Sequence, residues 1–452
     1  MTGAHPADSA IFGHLWTTPE ASALFSDEGR TQAWLQILAA LAQAQADAEL
    51  IPAAAAGAIR ACADVSRIDL AFVAEQTRAS GHSTVGLIRA LRSVLPAEAR
   101  EWVYYGATVQ DLSDTWFALV FRAVGDIAER DVTRMRDRAL ELAGRYRDTP
   151  MCGRTHGQPG LPITFGFKAA VWAAELDRHL ERLRQGRRRW EVVQLGGALG
   201  TMEFWGRQAL GLLEGFARQL GLGVPVIPWI TARDGVAEFL WLLAAISATA
   251  GKIGNEVYQL QRPEIGELRE SLPPGTVGSI TMPHKRNPEI SEHLVTLARV
   301  IRAQAAVALD GMVCEHERDG RAWKAEWLVV PEISMAFAAC AASGARMLDG
   351  LRADPERMLA NIDARRGYLL SEPVMRALAN RIGKHSAHDS VYAAAMRGLD
   401  TGQDFRTALR ADSRLDPVTD AELDELLQVR SALGSCAAFV DRVRRSCPGA
   451  GR

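Results

Sequence analysis

The stretch from Thr115 to Tyr146, "TWFALVFRAVGDIAERDVTRMRDRALELAGRY", decides the fold. Its apolar positions recur with helical spacing, which predicts one helix of roughly eight turns. Four more such stretches follow: "PITFGFKAAVWAAELDRHLERLRQGRRRW", "GVAEFLWLLAAISATAGKIGNEVYQLQ", "EISEHLVTLARVIRAQAAVALDGMV" and "VPEISMAFAACAASGARMLDGL". Each apolar stripe must be covered by a neighbour, so five long helices in one region predict a bundle. The Val/Ile/Thr alternation of strands is nearly absent, and the predicted fold class is all-α.

The pattern shortens on either side. After "FSDEGR", Trp34, Ile37, Leu38 and Leu41 share one helical face, on a helix ending near residues 50–52. Shorter segments resume after about residue 363. The expected organisation is an N-terminal helical domain (residues 1–111), a central long-helix bundle (112–363) and a small C-terminal helical domain (364–452).

The 452 residues carry 52 basic and 54 acidic side chains, a formal net charge of −2. That balance argues against a nucleic-acid or membrane-surface binder. No run of about 18 apolar residues stands out as a membrane span, and the N-terminus lacks a signal-peptide pattern. Cys62, Cys152, Cys314, Cys340, Cys436 and Cys447 are scattered without a CxxC pair, so reduced thiols and a cytoplasmic location are expected.

Four Gly-marked polar stretches interrupt the helices: "ASGHSTVG" (79–86), "YYGATVQDLSDT" (104–115), "GRTHGQPGLP" (153–162) and "GTVGSITMPHKRNPEISEH" (275–293). Each borders a predicted helix end, where unpaired backbone N–H groups suit anions. Singly, each has a bland reading. Thr108, Asp111 and Asp114 serve as N-caps of the first long helix, Asp114 above all. His156 serves equally well as a half-buried, hydrogen-bonded histidine, and Lys285-Arg286 as a solvated face. "GGALGTM" (196–202) follows no strand and matches no nucleotide loop. His385 and His388 share a helical face but lack a third metal ligand. The functional signal is the combination of four polar loops around one bundle.

"GSITMPHKRNP" resembles the signature of the fumarase/aspartase superfamily, GSSxMPxKxNP. "YYGATVQDLSDT", "GRTHGQPGLPITFGFKAAVW" and "EHERDGRAWKAEWLVVPE" resemble further regions of its adenylosuccinate lyase and 3-carboxy-cis,cis-muconate cycloisomerase branch. The resemblance runs nearly end to end. It implies a three-domain helical subunit in a homotetramer whose active sites each combine loops of three subunits. It implies no cofactor and no metal, and a small dicarboxylate as substrate.

The resemblance also assigns roles. Ser279 matches the general base that takes a proton from the carbon beside a carboxylate. Lys285 and Asn287 match substrate-carboxylate ligands, and Thr108, Thr155, Gln158, Met282 and Gln110 match positions lining the pocket. His156 matches the residue that protonates or orients the leaving group, and Glu292 its carboxylate partner. His82 matches a histidine of adenylosuccinate lyases, although Ser83-Thr84 follow it here. The implied reaction is β-elimination of fumarate from a small 2-substituted succinate, an N-substituted aspartate or nitrosuccinate, by a carbon–nitrogen lyase. The alternative is a 3-carboxy-cis,cis-muconate cycloisomerase. Retention of both His156 and Glu292 favours elimination over the cycloisomerase, and over a non-catalytic structural role. "GHLWTTPE", Trp323 and Trp327 replace the phosphate-holding residues of the nucleotide lyases, which speaks against a purine nucleotide. Ile280 and Val109 replace serines, making the expected pocket more apolar.

Overall fold

The computed structural model describes residues 5–272 and 275–447. Its five long helices are Val109–Arg145, Phe165–Trp190, Asp234–Gln261, Glu289–Asp310 and Gly320–Gly350. The first, 37 residues, spans about 55 Å at 1.5 Å per residue. Phe117, Phe121, Val124, Ile127, Val132 and Met135 on it are all buried. Each such side chain contributes about 1.5–3 kcal/mol on burial. The fold is all-α, as the periodicity predicts.

Packing divides the chain into two units, Met1–Asp131 with His179–Ala250 and Thr296–Ala342, and Val132–Arg178 with Gly251–Val295 and Ser343–Arg452. All five long helices contribute residues to both. In the first unit, helix Asp27–Asp47 starts at Ser26, whose hydroxyl accepts the Gly29 N–H. Trp34, Ile37, Leu38 and Leu41 are buried, and Trp34 meets Trp116 edge to face at 6.5 Å. In the second unit, Val374, Leu378, Val391, Phe405, Leu409 and Leu423 form a core among the short C-terminal helices.

Three local expectations are corrected. "GRTHGQPGLP" is not an irregular loop before a helix starting near Pro162. It belongs to a β-hairpin, β1 (Pro150–Thr155) with β2 (Gln158–Thr164), and the helix begins at Phe165. The last long helix begins ten residues before Val330, at Gly320, and runs through Pro331. An interior proline costs about 3 kcal/mol, and the buried apolar Val329, Val330 and Ile333 flank it here. Asp114 does not cap the first long helix. It lies within it, fully buried on Arg233.

Helices Asp234–Gln261 and Gly320–Gly350 are long and apolar enough to cross a bilayer, but 72% of the apolar window of each is buried inside the fold. They read as core helices. All six cysteines are free thiols.

Candidate active site

In the first unit, Thr108 stands immediately before helix Val109–Arg145, and Asp111 is the third helical residue. The Thr108 N–H donates to Asp111 Oδ2 at 2.9 Å, the back-bond of a capping box. Asp111 also accepts the Gly196 N–H at 2.7 Å and the Gly197 N–H at 3.2 Å. "GGALGTM" is therefore a structural strap on the first long helix. Burial pushes the Asp111 carboxyl up to about 7, against the pull of those donors.

Arg318 completes this corner. Its Nη1 donates to Thr108 Oγ1 at 2.9 Å and its Nη2 to the Gly197 carbonyl at 3.2 Å. Its Nε is buried with no acceptor. His316, at φ 56°, and Asp319, which accepts the Glu315 and Arg321 N–H groups, hold the turn that carries it. His82 is exposed just past Gly81, with Nδ1 3.0 Å from the hydroxyl of buried Thr84. Tyr104 adopts a left-handed backbone at φ 64°. Burial is the main cause raising its hydroxyl above the ordinary tyrosine value, with the Thr84 and Thr108 hydroxyls acting against it. Gln110 is turned inward: its amide donates to Asp114 Oδ2 at 3.0 Å and the Ile230 carbonyl at 2.7 Å.

Beneath lies a buried charge cluster. Arg233 donates from Nη1 to Asp114 Oδ2 at 2.7 Å and from Nε to Glu326 Oε1 at 2.9 Å, above the Trp229 ring. Burial opposes the guanidinium charge, but the two carboxylates hold its pKa above the ordinary value. Trp323 donates to Ser113 Oγ at 3.2 Å and packs edge to face on Trp327. Trp323 and Trp327 thus form an aromatic pair fixed to the first long helix through Ser113.

In the second unit, Thr155 pairs with Gln158 across a two-residue turn of His156 (φ 52°) and Gly157 (φ 75°). Two successive positive φ angles define a type I′ turn, and histidine tolerates that region better than most side chains. Thr155, His156 and Gln158 are exposed on it. Arg154 anchors the hairpin through two bonds, 2.8 and 2.7 Å, to Glu267, which is wholly buried and also accepts from Asn361.

The signature loop, also in the second unit, closes on itself. The Met282 N–H donates to Ser279 Oγ at 3.1 Å, the Lys285 N–H to the Met282 carbonyl at 2.9 Å, and the Asn287 N–H to the Gly278 carbonyl at 3.4 Å. A Cβ on Gly278 would lie 2.7 Å from the Lys285 carbonyl, so only glycine fits this crossing. Glu270 caps the helix behind the loop, accepting the Ile290 and Ser291 N–H groups at 3.0 Å and the Ser291 hydroxyl at 2.7 Å. Glu292 occupies that helix's first turn. Lys285, Met282 and Ile280 are exposed, Ile280 almost completely.

Nine of the eleven expected site residues form three groups: Ser279, Met282, Lys285 and Asn287 on one loop, Thr155, His156 and Gln158 on one turn, and Thr108 and His82 linked through Tyr104 and Thr84. Glu292 lies on the helix behind the loop, and Gln110 is buried on Asp114, away from the expected pocket lining. Sequence reasoning passed over Arg318, Tyr104, Arg154 and Glu270. Arg318 was open to notice as a cation in the Gly-marked turn "HERDG". The others act through partners distant in sequence.

The fold and these loops define an α-helical lyase, and the comparisons agree. Residues 15–303 match the family described as Lyase, and residues 367–443 the one described as Adenylosuccinate lyase C-terminus. The chain is 38% identical over 449 residues to the N-acetyl-S-(2-succino)cysteine lyase of Enterococcus italicus, covering 98% of this chain and 97% of the relative. It is 37% identical to the 3-carboxy-cis,cis-muconate cycloisomerase of Pseudomonas aeruginosa, covering 97% and 96%. The crystal structure of a fumarate lyase from Mesorhizobium sp. BNC1 superposes with a TM-score of 0.88 at 34% identity, covering 95% and 98%. The chain belongs to the fumarase/aspartase superfamily.

Proposed function

We propose that this protein releases fumarate by β-elimination from a small 2-substituted succinate, with a thioether as the scissile group. The observation that carries the elimination is the self-closed loop. It presents the Ser279 hydroxyl, which already accepts a backbone N–H, six residues before Lys285 and eight before Asn287, the pair matched to carboxylate ligands. A serine serves as base only as an alkoxide, and a fixed N–H with a nearby cation is the environment that stabilises one.

Ser279 Oγ takes the proton from the methylene carbon beside a carboxylate. The electron pair passes into that carboxylate, which Lys285 and Asn287 clamp, and then forms the C=C bond as the leaving group departs with the bond pair. His156, oriented by Glu292, supplies the proton to the departing atom. Arg318, half-buried on Thr108, places a guanidinium where an anionic end of the substrate can meet it. His82 stands at the same corner with one ring nitrogen committed to Thr84.

The leaving group is where the reading changes. The resemblance alone points to C–N cleavage, whereas relatives at 38% and 37% identity are named for a succinylated thiol. The exposed Ile280 and Met282 on the signature loop favour an apolar, polarisable atom over an amine or a nucleotide. We further propose a homotetramer combining the three loop groups from different subunits, so light scattering should give about four times the 49.2 kDa chain mass.

The test is a substrate panel: N-acetyl-S-(2-succino)cysteine, N-substituted aspartates, nitrosuccinate and 3-carboxy-cis,cis-muconate. Fumarate release, fastest with the thioether, is expected. Lactone formation from the muconate without fumarate from any other compound would establish the cycloisomerase, the second reading, which the 37% identical relative favours.

A further inference from the structure

The second unit contains a cavity of ≈ 500 Å³ beside β2, a volume typical of small-molecule sites. Gln158, Arg365, Arg366, Ser371, Glu372 and Gln403 contribute its polar lining. The rim is built with care. Arg366 keeps a left-handed backbone (φ 51°), a strain of about 1–2 kcal/mol for a side-chain-bearing residue. Three bonds hold it there: its N–H to the Asp363 carbonyl at 2.8 Å, its carbonyl accepting the Phe405 N–H at 3.0 Å, and its Nη1 to the Gly402 carbonyl at 2.6 Å. Tyr368 donates to the Gln403 carbonyl at 2.9 Å, fixing the facing loop.

Arginines of the C-terminal region fall into two sets, those paired with carboxylates and those, such as Arg376 and Arg430, that are in no ion pair among the described residues. Arg381, Arg397, Arg406, Arg410 and Arg414 belong to the first set. Among the described residues, no ion pair includes Arg365 or Arg366. Glu372 is the one carboxylate in the lining. Asp404 lies outside it, held below the usual carboxylate range first by the Thr407 N–H and hydroxyl, with Arg366 the least of the causes. Two guanidinium forks against one carboxylate leave a net positive pocket, with Gln158, Gln403 and Ser371 as further hydrogen-bonding groups.

We propose that this cavity binds a small oxyanion, a carboxylate or phosphate, through Arg365 and Arg366. Guanidinium groups match the planar or tetrahedral oxygens of such anions with paired N–H donors. An occupant would touch Gln158, two residues from His156, and so bear on the hairpin turn.

Isothermal titration of full-length protein with succinate, and separately with inorganic phosphate, tests this. The expected result is a binding event that persists in Lys285→Met and weakens roughly tenfold in Arg365→Gln, the loss of one charged hydrogen-bonding partner. Glu372→Gln removes the opposing charge and should tighten the same event several-fold, an outcome that impaired folding cannot mimic. Absence of binding to Lys285→Met, affinity unchanged by Arg365→Gln, or weakening in Glu372→Gln would overturn the assignment. Preference between the two probes tells whether the site is built for carboxylate or phosphate.

Discussion

The head of the first long helix and the signature loop both present groups for chemistry, but they are held in opposite ways. Thr108 is fixed by Asp111, which grips two glycine N–H groups, and by Arg318, itself bonded to the Gly197 carbonyl. The Asp114–Arg233–Glu326 cluster is buried beneath. Among the described residues, Ser279 and Lys285 are held by their own loop's backbone alone. One region is pre-organised by buried polar bonds, while the other is held by backbone bonds on an exposed loop. Pre-organised groups spend no binding energy on ordering, whereas whatever ordering an exposed loop needs is drawn from substrate affinity.

The largest expected effect breaks chemistry and leaves the fold. Ser279→Ala should lower kcat by about 10³-fold, within the range for loss of a general base. Its unfolding free energy should stay within about 0.5 kcal/mol of the parent, since the side chain's one bond is to its own loop. Turnover within tenfold of the parent would remove Ser279 as the base. Arg233→Met should do the reverse. It leaves Asp114 and Glu326 buried without their cation, a loss of about 3–5 kcal/mol in urea unfolding. A cost below about 1 kcal/mol would mean that the cluster does not hold this region.

The hairpin lies between these extremes, and His156 tests the leaving group. Asparagine accepts the left-handed turn backbone but donates no catalytic proton, so His156→Asn should preserve stability. A thiol of ordinary acidity leaves nearly unaided, whereas an amine needs its proton. The variant should lose roughly tenfold in kcat with a succinylated thiol and at least tenfold more with an N-substituted aspartate. Equal losses on both substrates would show that His156 orients the substrate and does not act as the acid.

These contrasts also explain what the sequence let us read. The long helices were legible because a repeat such as Trp34, Ile37, Leu38 and Leu41 states burial locally, and all four are buried. The β1–β2 hairpin was not, because "MCGRT" and "QPGLPIT" lack alternation and their pairing depends on Arg154 reaching Glu267, 113 residues away. Asp114 looked like a cap because its partner, Arg233, is 119 residues off. Pro331 looked like a boundary because burial of the preceding turn cannot be read from local composition. The groups on the signature loop were recognisable only through resemblance, and the placement of Arg318 on Thr108 only through coordinates.

Asp111 sharpens the comparison most finely, through pH. Burial outweighs its backbone donors and pushes its carboxyl up to about 7, from an ordinary aspartate value of about 4. Between those values the folded protein binds the proton more tightly than the unfolded chain, so this group's contribution to stability falls as pH rises from about 4 to 7. Asparagine cannot ionise and carries no such penalty. The stability of Asp111→Asn relative to the parent should therefore improve with pH, by at most about 1.4 kcal/mol per unit. Urea unfolding of both proteins at pH 5 and pH 7 measures the trend. A difference that stays flat from pH 5 to pH 7 would show that the glycine N–H donors win, that Asp111 is already an anion at pH 5, and that the head of the helix is held by charge. The expected slope would show a neutral carboxyl that gives up its proton near the physiological range, in contact with the same Thr108 that Arg318 holds.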